Sequence, residues 1–122
     1  MTLQLRPADF AAWRASLPPG NAALPIVLDV REPWELQTAS VQEDGFRLVT
    51  IPMREVPARL AELQAGEGSD GLAQPIACLC HHGMRSLQVA NYLAQNGFTG
   101  VVNLQGGIDA WSAEVDPAVP RY

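Results

Sequence analysis

Lysine is absent from this chain. Its eight basic residues are all arginine, they face 13 acidic ones, and the net charge is −5. Any basic group in a site must therefore be Arg or His, and the acidic balance argues against nucleic acid or an anionic membrane as partner. No apolar run approaches membrane-spanning length. Residues Met1 to Arg6 lack the charged start and apolar core of a signal peptide, so the expected location is the cytoplasm. Cysteine is scarce too. Cys78 and Cys80 lie two apart on an extended run, where a disulfide would close only a strained ring. Reduced thiols in a reducing compartment is the simpler reading. Cys78, Cys80, His81 and His82 crowd into five consecutive positions with no second cluster elsewhere. That is not the paired spacing of a zinc site, and neither metal nor organic cofactor is expected.

What is present fits one domain with one core over residues 1–122. Leu3 and Leu5 alternate with polar residues, as in an edge strand. Pro7 suits the first position of a helix whose apolar face is Phe10, Trp13 and Leu17, ended by Pro18-Pro19-Gly20. Ile26 to Val30 is apolar except for Asp29, the pattern of a strand buried on both faces. Pro33 is placed to start a short helix, and 39–46 reads as a surface loop. Leu48 to Ile51 is a strand ended by Pro52. Val56, Leu60 and Leu63 mark a helix that Gly66 ends, with a flexible connector over 66–71. Ile76 to Leu79 and Val101 to Leu104 are further buried strands. A helix between them carries Leu87, Ala90, Leu93 and Ala94, with Gly97 after its last turn and Phe98 folded back on Leu93. Gly106-Gly107 leads into a last helix with Ile108 and Trp111, and Trp34 and Trp111 read as core or rim aromatics. The tail over 115–122 is too proline-rich for a helix. This alternation predicts an α/β fold, a parallel sheet covered by helices on both faces. Ligands of such sheets bind beyond the C-terminal strand ends, where both Cys80 and Arg31 fall.

The chemistry concentrates in Cys80-His81-His82-Gly83-Met84-Arg85-Ser86. A buried strand ends at a thiol, and a helix begins a few residues later. The unpartnered N–H groups of a helix start, or a nest of loop N–H groups, favour thiolate, the nucleophilic form. Arg85 adds permanent charge beside it. Gly83 supplies the backbone angle that closes the loop. His81 and His82 are read either as ring N–H groups facing an anion or as solvated side chains. Mid-strand Cys78 reads as core packing. Arg31 reads either as a structural ion pair with Asp29 or Glu32 or as a substrate contact.

Three stretches in order resemble the signatures of single-domain rhodaneses: Asp29-Val30-Arg31-Glu32, the loop from Cys80 to Ser86, and Asn103-Leu104-Gln105-Gly106-Gly107-Ile108 with Trp111. The resemblance implies a parallel sheet of about five strands. It also implies a sulfurtransferase that takes sulfane sulfur on Cys80 as a persulfide and passes it on. Trp111 to Tyr122 further resembles rhodanese modules of molybdopterin- and thiamine-type sulfur transfer. That implies a small sulfur donor and a protein sulfur acceptor of the carrier type. His81 and His82 stand where thiosulfate-using members often carry Arg or Lys, which implies weak use of thiosulfate.

On this reading Cys80 and Arg85 are catalytic, and His81, His82, Gly83, Met84, Ser86 and Arg31 contact substrate. A C-x5-R phosphatase or arsenate reductase would use a similar loop. The four residues between Cys80 and Arg85 make a tighter ring, better matched to one sulfur than to a phosphate. A non-catalytic binding module of the same fold is the other alternative.

Overall fold

A computed structural model describes residues 3–17, 24–64 and 72–122. Five parallel strands form one sheet in the order β1-β5-β4-β2-β3. They are β1 (Leu3–Leu5), β2 (Ile26–Asp29), β3 (Arg47–Thr50), β4 (Ile76–Leu79) and β5 (Val101–Leu104). The α-helices are α1 (Phe10–Ala15), α2 (Pro33–Thr38), α3 (Met84–Gln95) and α4 (Gly107–Glu114). All four residues of β2, and all four of β4, are buried. These central strands need apolar side chains on both sides because both sheet faces are covered.

Strand alternation sorts the core into two layers. Ile26, Leu28, Ile76, Cys78 and Cys80 point to the face covered by Val89, Ala90 and Leu93 of α3. Val27, Ala77 and Leu79 point to the other face, with Phe10 of α1 and Ile108 and Trp111 of α4. There Phe10 packs edge-on against Trp111 at 5.3 Å and against Phe46 at 5.5 Å. Phe46 and Val41 are buried, so 39–46 is not the purely surface loop expected: its apolar residues close this second layer.

Three other expectations need correction. The helix expected around Val56, Leu60 and Leu63 is two 3-10 segments, Met53–Ala58 and Leu60–Leu63. Pro57 lies inside the first and has no N–H to give an α-helical bond, so the tighter form replaces it. Pro7–Asp9 is likewise a 3-10 turn ahead of α1. The buried face of α3 is Ser86, Val89, Ala90 and Leu93, whereas Ala94 is exposed. The end of α3 is as expected: Gly97, at φ +93°, donates to Ala94 O, and the Phe98 N–H returns to Leu93 O at 3.1 Å. The stop at Pro18-Pro19-Gly20, the Gly66 helix end and the connector over 66–71 lie outside the described residues.

From β2 the chain moves outward to β3, then returns to β4 on the other side of β2 and continues to β5. The loops leaving β2 and β4 therefore diverge from neighbouring strands, which opens a crevice between their ends. Asp29 is in register with Leu79, so Arg31 and Cys80 flank that opening.

Candidate active site

Cys80 is the residue after β4 and is fully buried. Its Sγ accepts the Gly83 N–H at 3.1 Å and lies 3.3 Å from the Ser86 hydroxyl. The loop can fold back onto its own sulfur because Gly83 takes φ +101° as it leads into α3. Asn103 of β5 donates to Gly83 O at 3.1 Å, tying the turn to the sheet. On the other side α4 turns its first N–H groups to the loop. Ile108 N–H donates to Cys80 O at 2.8 Å, and Asp109 N–H to His81 O at 3.2 Å. These are the donors a helix start leaves unpaired. They reach the loop because residue 107 has no side chain: a Cβ there would stand 2.4 Å from both carbonyl oxygens. This is the physical content of the Gly106-Gly107 signature.

Cys78 points into the layer under α3 and is fully buried. Burial, and then the neighbouring Cys80, push its thiol far up from the ordinary range. It stays protonated at physiological pH and packs as a small apolar residue.

The rim of the site is made of side chains. Arg85 makes no hydrogen bond to Sγ among the described residues. Its guanidinium is bidentate to Glu35 of α2, at 2.7 and 2.9 Å. Glu35 is nearly fully buried and also accepts the Tyr122 O–H at 2.7 Å and the Glu32 N–H at 3.0 Å. The Arg85 bonds lead in holding the Glu35 carboxyl down to about 2 from the ordinary 4.5, against the opposing effect of burial. Tyr122 Oη in turn accepts from Arg31 Nη1 at 3.0 Å. Burial and the bond to Glu35 push the Tyr122 phenol up, so it remains a donor.

Arg31 was expected to pair with a carboxylate or to contact substrate, and the structure gives it the first place only. It is fully buried. Its Nε and Nη2 hold both Asp29 carboxylate oxygens, and its remaining N–H groups reach the carbonyls of Glu35 and Ala39. It clamps α2 and its C-cap, Ala39, to the end of β2.

His81 Nε2 lies 2.7 Å from the Tyr122 main-chain oxygen. That oxygen can only accept, so Nε2 carries the hydrogen. The His81 ring stacks on Tyr122 at 3.8 Å and on His82 at 3.9 Å. Met84 is 70% exposed, and so is most of Trp34, which meets the Tyr122 ring edge-on at 6.3 Å. Trp111 is core and Trp34 is rim. The loop's own Cys80, Gly83 and Ser86 thus converge on the sulfur, while His81, His82, Met84 and Arg85 form its outer edge.

Sequence reasoning missed Glu35, Tyr122 and Asn103. Glu35 had a local signal, an acidic pair at Glu32 and Glu35 flanking a helix start. Tyr122 had none, since its partners Arg31 and Glu35 are 91 and 87 positions away.

The model of the rhodanese-like domain family matches residues 12–114. A thiosulfate sulfurtransferase, GlpE, of Pseudoalteromonas translucida is 44% identical over 98 residues, covering 79% of this chain and 81% of that protein. The adenylyltransferase and sulfurtransferase MOCS3-1 of Zea mays is 34% identical over 98 residues, 80% of this chain. The chain spans only 20% of that protein's length, and at most 30% of several other plant relatives. The solved structure of a rhodanese-related protein from Thermoplasma volcanium superposes with a TM-score of 0.71 at 28% identity, covering 98% of this chain and 99% of that one. A protein of unknown function from Rhodopseudomonas palustris, described as a possible tyrosine phosphatase, shares the fold with a TM-score of 0.59 at 22% identity over 99% of this chain and 85% of that one. Family match, sulfurtransferase-named relatives and sheet agree, and the chain belongs to the rhodanese-like domain family.

Proposed function

We propose that this chain is a sulfurtransferase that carries sulfane sulfur as a persulfide on Cys80. The observation that carries the reading is the Cys80 sulfur itself, met by the Gly83 N–H and the Ser86 hydroxyl. Donors fixed at the place where negative charge resides need no rearrangement during reaction. In the first step the Cys80 thiolate attacks the outer sulfur of a small donor. A new S–S bond forms, the donor's S–S bond breaks, and its leaving group departs with the electron pair. In the second step an acceptor nucleophile attacks the outer sulfur and Cys80 leaves as thiolate. A covalent intermediate of this kind gives ping-pong kinetics. Arg85 acts from the rim: its charge interacts with Cys80, opposed by Glu35.

The acceptor we propose is a protein presenting a cysteine or a terminal thiocarboxylate. Two large apolar side chains, Trp34 and Met84, stand exposed at the mouth, where a partner chain would cover them. Cyanide and small thiols would be served at lower rates. The proposed compartment is the cytoplasm. Among the described residues no helix is long and apolar enough to cross a membrane.

The test is intact-protein mass after incubation with a sulfane donor. One added sulfur, discharged by cyanide, is expected. No added sulfur, with aryl phosphate turnover that requires Cys80, would replace this reading by a phosphatase.

A further inference from the structure

Arg85 is the only arginine in the loop that carries Cys80, yet its charge is not free. Both carboxylate oxygens of Glu35 bind it, at 2.7 and 2.9 Å. Glu35 cannot swing away easily. It is 3% exposed and is held by the Tyr122 hydroxyl and the Glu32 N–H, while its main-chain oxygen accepts from Arg31. Arg31 and Arg121 near the mouth are paired as well, with Asp29 and Asp109, and Arg54, an exposed guanidinium, lies outside the loop. Arg54 and Glu32 line the groove next to Arg85 with Val30 and Met53, one charge of each sign. His81 and His82 are the remaining groups able to carry charge, and they stack on each other and on Tyr122. A dianion approaching the Cys80 thiolate therefore meets no uncompensated guanidinium inside the loop.

We propose that Glu35 is a specificity-determining residue: by binding Arg85 it withholds the loop's fixed positive charge, so the site takes sulfur from singly charged organic persulfides in preference to dianionic thiosulfate. This rests on the sulfurtransferase reading above. The favoured step is Cys80–S⁻ attacking the outer sulfur of R–S–S⁻, which leaves Cys80–S–S⁻. The Cys80–S bond forms, the R–S–S bond breaks, and R–S⁻ leaves as the thiolate. With thiosulfate the leaving group is sulfite, and both charges must be brought to the thiolate. Tyr122 is a positioning residue in this scheme, since its hydroxyl braces Glu35 against Arg31.

The experiment compares rates of sulfur loading, read by mass, from thiosulfate and from 2-hydroxyethyl persulfide. The proteins are wild type, Glu35→Gln and Tyr122→Phe. Glutamine keeps the volume and the acceptor oxygen but not the charge. Glu35→Gln should raise kcat/KM for thiosulfate about tenfold, through KM, and leave the organic persulfide within about twofold; added salt should shrink the gain. Tyr122→Phe should move the same ratio in the same direction by about twofold to threefold, and it keeps the proposal testable if Glu35→Gln folds poorly. An unchanged donor ratio in both variants, in a wild type that does load sulfur, overturns the proposal and leaves the sulfurtransferase reading standing. So does a wild type that loads from thiosulfate as fast as from the organic persulfide. Loading from neither donor overturns both.

Discussion

The inner wall of the Cys80 loop and its outer rim are built from different materials. The inner wall is mostly backbone, with one side chain, the Ser86 hydroxyl, at the sulfur. Gly83 N–H faces the sulfur, and the first N–H groups of α4 hold the carbonyls of Cys80 and His81. The rim is side chain. Arg85, Glu35, Tyr122, Arg31 and Asp29 form one chain of charged hydrogen bonds. Backbone walls tolerate no change of shape, because a glycine that lets two segments touch cannot gain a Cβ. Side-chain rims tolerate changes of shape but not of charge. The wall holds the Cys80 sulfur in place, and on the proposal above the rim sets which charge comes near it.

Substitutions that load one region and not the other sharpen this contrast. The largest effect is expected at Gly107. Its φ is +62° and a Cβ would stand 2.4 Å from Cys80 O and His81 O. Gly107→Ala should cost about 3 kcal/mol or more in chemical denaturation and abolish sulfur loading. Arg85→Ala comes next. It leaves the buried Glu35 carboxylate without its main partner, at a cost of about 3 kcal/mol, and should slow loading by about tenfold in the folded protein.

Acid attacks the same pair from the other side. Glu35 titrates near 2 in the fold and near 4.5 as an ordinary carboxyl. Its stabilisation, on the order of 3 kcal/mol, is present above pH 4.5 and is lost as pH falls toward 2. Melting temperature followed over that range should fall in wild type and flatten in Glu35→Gln. Gly97→Ala is the control for strain without a wall. It has φ +93° but meets only the Leu72 side chain, so about 1 kcal/mol is expected with sulfur transfer unchanged. The smallest effect on stability, within about 0.5 kcal/mol, is expected for Met84→Gln, which should nonetheless slow transfer to a protein acceptor more than to cyanide.

The same division governs what the sequence tells. Strands β2, β4 and β5 are legible as short apolar runs bounded by loops. The C′ role of Gly97 is legible because a left-handed residue after an amphipathic helix is a local requirement. The loop glycines were legible as well, though the reason for Gly107 is not, since it lies in a contact with Cys80 and His81 some 26 positions away. The rim was mostly opaque. Arg85 looked free because its partner, Glu35, is 50 residues distant. The sequence leaves Arg31 open to a substrate role, whereas in the fold its N–H groups are engaged by Asp29, Glu35, Ala39 and Tyr122. The 3-10 segments over Met53–Ala58 and Leu60–Leu63 escaped for another reason: apolar spacing alone does not separate them from an α-helix, and the decisive residue was Pro57.

On this proposal the Gly83 N–H and the Ser86 hydroxyl make Cys80, and not Cys78, the sulfur carrier. The direct measurement is the mass of Cys78→Ser and Cys80→Ser after exposure to a sulfane donor. Cys78→Ser should gain one sulfur that cyanide removes, and Cys80→Ser should gain none. Sulfur retained in folded Cys80→Ser and lost in folded Cys78→Ser would contradict that assignment.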